Sequence, residues 1–174
     1  MSCVSVLIKG RLEKDNFWYK YIYPKNLLLF DNEKLVAPEI SKGGNFSYDK
    51  KGEFYSTTKI YGYIKKTSIS EDYKFWIALL NSQLFWFFIQ NTGYVLRGGY
   101  FTFKTDYVLP FPVPEIIPNS IYEDIINIVD TILERKSKSK NSITLELEKQ
   151  IDKYIYSLYD ITKQEIVIIE ELDL

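Results

Sequence analysis

An α+β fold is expected, in which a β-rich first part with one buried central helix is followed by a C-terminal helical unit. Three observations predict it. Short runs of aromatic and β-branched residues alternate with turn sequences over the first 66 residues. From Tyr73 to Ile89 apolar residues occupy nearly every helical face, and beyond a proline-rich stretch the apolar spacing becomes that of amphipathic helices. The chain has 174 residues, 46% hydrophobic and 17% aromatic, enough for one sizeable core or one domain with an appended helical unit. The boundary is placed in the prolines, giving a first domain over 1–114 and C-terminal amphipathic helices over 115–174.

Each element has a local reason. Phe17 to Tyr23 alternates aromatic residues with Lys20 and Ile22 and closes at Pro24, a strand pattern. Leu27 to Phe30 and Lys34 to Ala37 suggest two more short strands, separated by the Asp31-Asn32 turn. Turn sequences Lys42-Gly43-Gly44-Asn45 and Asp49-Lys50-Lys51-Gly52 flank Phe46 to Tyr48. Phe54 to Ile64 reads as a longer strand or hairpin pair broken at Gly62. Ser68 or Ser70 can then cap a helix, with Glu71 and Asp72 at its positive end. That helix runs to about Ile89 and stops at Asn91-Thr92-Gly93, Gly93 serving as a left-handed cap.

Arg97 to Tyr107 returns to aromatic alternation and is expected to be a strand or strand pair. The prolines at 110, 112, 114 and 118 make 109–119 an extended linker. Ser120-Ile121-Tyr122-Glu123 forms a capping-box sequence opening a helix to about Lys136. A second helix, Ser142 to Tyr159, carries an apolar stripe of Ile143, Leu147, Ile151, Tyr154, Ile155 and Leu158. Thr162-Lys163-Gln164-Glu165 is another capping box and opens a short terminal helix.

Composition narrows the function. Histidine is absent and the single cysteine is Cys3, which excludes a disulfide framework and a cysteine-based zinc cluster and suits an intracellular, cytoplasmic protein. The run Val4 to Ile8 is too short for a signal-peptide core, and 77–89 falls short of the roughly 20 residues of a membrane span, so no membrane association is expected. The net charge of −1 divides unevenly: residues 1–109 carry net +5 and residues 110–174 net −6. Of the 29 aromatic residues, 24 precede Pro110. A basic, aromatic part joined to an acidic helical part suggests that the first meets a polyanion and the second meets protein.

Six features recur in an order that resembles one family. They are the strand Lys34-Leu35-Val36-Ala37-Pro38, the segment Phe46 to Tyr55 with Asp49 and Gly52, the helix containing Leu80-Asn81-Ser82, the turn Arg97-Gly98-Gly99, the exit Leu109-Pro110-Phe111-Pro112, and the close Leu158-Tyr159-Asp160-Ile161-Thr162-Lys163-Gln164-Glu165-Ile166. In the last, Asp160 stands where a glycine is more usual. This series, spread over residues 20 to 170, resembles the TaqI-like C-terminal specificity domain, the target recognition part of adenine-specific DNA methyltransferases from restriction-modification systems. The resemblance implies double-stranded DNA as partner, together with a methyltransferase catalytic domain in cis or in trans.

Catalytic features are missing from the sequence. It contains neither an Asn-Pro-Pro-Tyr tetrapeptide, which would hold a flipped adenine, nor a glycine-containing turn for S-adenosylmethionine. That cofactor is expected on the absent catalytic domain, none on this chain. Asp49-x-Lys51 and Asp72-x-Lys74 have the residue types of metal-dependent nucleases but no convincing second carboxylate, so no catalytic or metal site is assigned. A recognition module lacking its catalytic domain is the expectation.

Residues expected at DNA come from turns: Lys42, Asn45, Lys50, Lys51, Lys59, Lys65 and Lys66 in the first part, and Arg97, Tyr100 and Lys104 around the Arg-Gly-Gly turn. Lysines neutralise phosphates, and a guanidinium beside two glycines can approach a phosphate or guanine edge closely. A lysine in a turn is ordinarily only solvated, and Gly98-Gly99 can equally serve a tight hairpin. Asn81 and Ser82 are assigned to structure, and Trp76, Phe85 and Trp86 to the core. A second reading is a protein-interaction or assembly module of a restriction-modification complex, since type I specificity subunits resemble this domain and assemble through similar helices. Binding to single strands or RNA is a weaker third reading, because no RNA-binding motif is present.

Overall fold

A computed structural model describes residues 27–56 and 59–171. The strand expected over Phe17 to Tyr23 lies outside them. The α+β class is as the sequence predicts: the described residues form two small antiparallel sheets and six α-helices. Strand β1 (Lys34–Pro38) forms the centre of the first sheet, between β3 (Ser47–Asp49) and β4 (Ile60–Tyr63), with Leu35 opposite both Tyr48 and Tyr63. The chain passes through Glu39 directly into β2 (Ile40–Ser41), an edge of the second sheet. There β2 pairs with β6 (Tyr100–Thr102), which pairs in turn with β5 (Val95–Leu96). Glu39 joins the two sheets: its N–H donates to the Lys59 carbonyl at 2.9 Å and its carbonyl accepts from Phe103 N–H at 2.8 Å.

The helical hydrophobic run is two helices, not one: α1 (Tyr73–Leu80) and α2 (Gln83–Thr92), broken at Asn81-Ser82. Two polar side chains cause the break. Ser82 caps α2, its hydroxyl accepting from Phe85 N–H at 3.2 Å while donating to the Leu79 carbonyl at 2.7 Å. Asn81 reaches across to the loop before β3, accepting from Phe46 N–H at 2.8 Å and donating to the Phe46 carbonyl at 3.0 Å. The amide thus pairs with both backbone groups of one residue, as a strand partner would. Gly44 lets the loop come this close, because a Cβ there would lie 2.7 Å from Asn81 Oδ1 and still nearer the Leu80 carbonyl.

Around this junction the core is aromatic. Phe46 meets Phe85 and Phe103 edge-on at 6.0 and 6.1 Å, and Phe85 meets Phe111 at 5.1 Å. Leu35 and Ala37 of β1 pack into the same cluster as Phe75, Leu79 and Ile89. The helix α3 (Thr105–Val108) and the prolines after it carry the chain to α4 (Asn119–Lys138), α5 (Leu145–Leu158) and α6 (Lys163–Glu171). These helices share the apolar cluster of the first part through Ile125, Val129, Ile151, Ile155 and Ile169. Tyr122 packs on Phe75 at 5.7 Å and its oxygen accepts from Asp72 N–H at 2.8 Å; Lys74 pairs with Asp130 at 2.7 Å; and Gln83 N–H donates to Asp152 Oδ1 at 2.9 Å.

Several local expectations are corrected. Leu27–Leu29 is a turn of 3-10 helix instead of strand, because the Asn32 amide donates to the Leu28 and Leu29 carbonyls and closes a helical turn. Asp72, whose carboxylate accepts from Lys74 N–H at 2.8 Å, caps α1 in place of Ser68 or Ser70. Gly93 caps α2 in an extended conformation, not a left-handed one; glycine is required because a Cβ would sit 2.6 Å from the Ile89 carbonyl. Of the described residues in 54–64, only Ile60–Tyr63 pairs as strand, with Gly62 inside it opposite Val36. The aromatic stretch 97–107 ends as strand at Thr102, and Lys104 starts α3.

At the C-terminal end, Pro118 precedes α4 without any side-chain cap, so the Ser120 box does not form and the helix runs on to Lys138. Helix α5 begins only at Leu145, leaving Ile143 outside the stripe and exposed. The Thr162 box does form: the Glu165 carboxylate accepts from Thr162 N–H at 2.8 Å, and Thr162 Oγ1 from Glu165 N–H at 3.4 Å. Asp160, in the left-handed region at φ 51°, occupies the conformation that favours glycine.

Replacing Asn81 by leucine removes both bonds to Phe46 and strands its backbone groups. Asn81→Leu is expected to lower stability by about 1–3 kcal/mol, read as a shift of the thermal or urea unfolding midpoint.

Candidate nucleic-acid interface

The residues expected at DNA fall into two groups and four scattered lysines. Lys42 and Tyr100 come together on the second sheet, with the Lys42 ammonium 5.1 Å above the Tyr100 ring. Register explains the meeting: Ile40 opposes Thr102 and Ser41 opposes Phe101, so the next residue, Lys42, lies beside Tyr100 on the same face. Arg97 is in the adjoining β5–β6 turn, closed by Gly99 N–H donating to the Leu96 carbonyl at 3.2 Å. Gly98 and Gly99 have φ of 86° and 74°, which keeps the turn tight and leaves Arg97 beside bare backbone. Asn45 closes the neighbouring loop, donating to Ser41 Oγ and to the Lys42 carbonyl, so its amide holds Lys42 in place.

The second group, Lys50 and Lys51, sits at the turn after β3 on the first sheet. Lys51 lies 3.9 Å from Glu53, both ends well exposed. Lys59, Lys65, Lys66 and Lys104 lie apart from both groups. Lys59 pairs with Glu39 at 3.2 Å. Lys65 is held against the protein, its ammonium 5.0 Å over the Tyr73 ring and donating to the Glu71 carbonyl at 2.5 Å. Lys66 and Lys104 are exposed, and Lys104 supplies only its carbonyl to the start of α3.

Carboxylates separate these groups. No ion pair among the described residues engages Lys42, Arg97, Lys50, Lys66 or Lys104. An open groove of about 520 Å³ beside the first sheet is lined instead by Asp49 and Glu53 with Pro38, Ser47, Phe54 and Ile60, and among the described residues by no lysine or arginine. Its charge is wrong for a polyanion. The second sheet has the opposite character: Lys42 lies over Tyr100 on its outer face, Arg97 is exposed in the adjoining turn, and the Tyr94 carbonyl accepts from Thr102 N–H at 3.4 Å across the ladder. Tyr94 is 59% and Tyr100 45% exposed; Tyr55 and Phe54 are exposed elsewhere, but of these only Tyr100 lies under a lysine ammonium. Sequence pattern alone did not single out Tyr94, because its partnership with Tyr100 emerges only from strand pairing. Cations can neutralise phosphates there and exposed rings can stack on bases.

The aspartates of both nuclease-like pairs have structural work. Asp72 caps α1. Asp49 pairs with the buried Lys34 at 2.6 Å and accepts from the N–H groups of Glu53 and Phe54 at 3.1 and 2.9 Å. Burial alone would raise the Asp49 carboxyl, but the Lys34 ammonium and the two backbone donors outweigh it and hold it below the usual range. Lys34 also donates to the Phe30 carbonyl at 2.5 Å, so one buried ammonium ties the segment before β1 to the loop after β3. Phe85 and Trp86 are buried, Trp76 is half-buried against Phe75, and Asn81 and Ser82 are consumed at the helix junction, all as expected of scaffold.

A cation and exposed rings on a sheet face are chemically suited to a polyanion. The family model of the TaqI-like C-terminal specificity domain matches residues 8–113, and the chain belongs to that family. Membership implies DNA target recognition in the setting of a restriction-modification methyltransferase, and association with both. Among the described residues no helix is long and apolar enough to cross a membrane.

The Asp49 carboxylate has a folded-state pKa below its unfolded one, so its stabilisation is complete above the ordinary carboxylate range and is lost as pH falls through the lower folded value. Asp49→Asn is expected to flatten this acid limb of the stability curve. At neutral pH it should also cost about 3 kcal/mol by leaving Lys34 buried without a carboxylate. Urea unfolding of both proteins over an acid-to-neutral pH series measures the two effects.

Proposed function

We propose that the chain is the sequence-specific DNA recognition module of an N6-adenine DNA methyltransferase of a restriction-modification system, acting on double-stranded DNA in the cytoplasm. The observation that carries this reading is the second sheet, where Lys42 stands over Tyr100 and Arg97 lies exposed in the adjoining turn, neither in an ion pair among the described residues. Phosphates of the duplex fix the register through Lys42, and Arg97 at the hairpin tip reads a base edge or an adjoining phosphate. Lys50 and Lys51 reach the flanking backbone, while Lys66 and Lys104 add to the long-range field. Lys59 and Lys65, already engaged, contribute by charge alone, and Asn45 acts by holding Lys42.

Catalysis belongs to a methyltransferase domain in cis or in trans, which binds S-adenosylmethionine and flips the adenine. This chain takes no part in methyl transfer, because its sequence carries neither the Asn-Pro-Pro-Tyr tetrapeptide nor the glycine turn that the chemistry needs. A second reading, assembly through the C-terminal helices as in type I specificity subunits, has one specific support: Val167 and Ile168 on α6, with Ile143 and Leu145 at the start of α5, are exposed apolar side chains. The α5 stripe itself is largely covered from within, since Ile151, Ile155 and Tyr156 are buried. DNA recognition is therefore the better supported of the two.

Duplex binding by the isolated chain is expected to be weak and salt-sensitive, with log K falling against log salt by about 0.9 for each phosphate neutralised. Arg97→Ala should leave the melting temperature nearly unchanged, within about 0.5 kcal/mol, yet weaken binding of the complete methyltransferase to its site by about 1–3 kcal/mol. A thermal melt and a binding titration decide the matter. Earlier melting with unaltered affinity per folded molecule would make the turn scaffold.

A further inference from the structure

The outer face of the second sheet has more than charge. Strand alternation sorts its residues: Phe101 is buried in the core, Tyr100 and Thr102 lie on the opposite side, and pairing brings Ile40, Leu96 and Tyr94 to that side, where Thr102 is itself buried and Tyr94, Tyr100 and Ile40 form the open part. Ile40 is 43% exposed, so an aliphatic side chain and two large rings form an open apolar surface. One end of it carries Lys42, stacked on Tyr100, and Arg97 in the turn. Gly98 and Gly99 cover neither residue; a Cβ on Gly98 would make only ordinary contact with the Tyr100 ring, at 3.5 Å, and one on Gly99 with Lys42, at 3.7 Å. The Thr102 hydroxyl on this face is buried and has no hydrogen-bond partner. An exposed ring braced by an ammonium, with an exposed arginine in the turn that leads into its strand, suits a ligand that presents both an aromatic face and an anion. Paired bases inside a duplex hide their faces; an unpaired base shows one.

We infer that Tyr100, braced by Lys42 and aided by Tyr94, is a stacking platform for an unpaired DNA base, while Arg97 and Lys42 hold the phosphates beside it. The inference rests on the DNA-recognition reading and deepens it, since it assigns this face to the distorted strand in place of the intact duplex. The ammonium over one side of the ring fixes its tilt and leaves its other side to the base. Tyr94, on the neighbouring strand and two residues before Leu96, the register partner of Tyr100, limits how the base can slide.

The test uses the full chain and two oligonucleotide duplexes of one sequence: one fully paired, the other with a single 2-aminopurine as a one-base bulge. The bulged duplex is expected to bind roughly five- to a hundredfold more tightly, with its fluorescence quenched as the base stacks. Tyr100→Ala should abolish preference and quenching, Tyr100→Phe should keep both, Tyr94→Ala should reduce both, and Arg97→Ala should weaken the two duplexes alike. Because Tyr100 is exposed, a thermal melt of each variant is expected to match the parent. Equal, salt-sensitive binding of both duplexes overturns the stacking platform while leaving DNA recognition standing. So does a preference that survives Tyr100→Ala in folded protein. Binding of neither duplex at low salt overturns the platform and the DNA-recognition reading together.

Discussion

The two hydrogen bonds between the Asn81 amide and the backbone of Phe46 govern the arrangement of everything else. They sit where three demands meet: the end of α1, the start of α2 and the loop that leads from β2 to β3. An amide can replace a strand partner only if the loop approaches within hydrogen-bonding distance, and Gly44 makes room for that approach. Once the loop is docked, Phe46 is driven between Phe85 and Phe103, and the sheets acquire their seat on the helix pair. A polar group at a helix break thereby orders an aromatic core that nonspecific burial would leave free to repack.

Charged residues in the first part divide by environment, not by sequence neighbourhood. Lys34, Lys59 and Lys65 lie in or next to strand and turn sequences much like those of Lys42 and Lys50, yet a buried carboxylate, a surface carboxylate and a tyrosine ring with a carbonyl respectively engage them. Of the cations without an ion pair among the described residues, Lys42 and Arg97 belong to the second sheet and Lys50 to the turn after β3, with Lys66 and Lys104 apart from them. The net excess of +5 before Pro110 is thus partly structural, and the field that an approaching polyanion meets is more local than composition suggests.

The α+β class, the strand Lys34–Pro38, the scaffold role of Asn81-Ser82 and the amphipathic faces of the last helices were legible, because each rests on periodicity or on a polar residue stranded in an apolar run. The single long helix was not real: every residue of 73–89 is compatible with helix, and only the distant Phe46 backbone reveals why Asn81 turns away. Likewise Gly93 looks like a left-handed cap but is glycine for closeness to Ile89. At the candidate interface, the turn residues were visible as a set, but their sorting was not. Whether a lysine is free depends on partners 15 to 20 positions away, such as Asp49 for Lys34 and Glu39 for Lys59. The pairing of Tyr94, Lys42 and Tyr100 depends on strand register, which aromatic density obscures.

Glu39 links β1 to β2 without a loop, so a single extended stretch serves as the central strand of one sheet and the rim of the other. The β5–β6 hairpin, by contrast, hangs from the second sheet with its tip clear of the apolar cluster; Arg97, Gly98 and Gly99 are all exposed. Rigidity and licence to vary are therefore separated within a few residues of each other. Side chains at the tip can be exchanged without repacking Phe101 or Trp86 behind them, provided that the two glycine conformations are kept. A lineage carrying this fold could acquire a new preference at the tip through single substitutions, each nearly silent for folding.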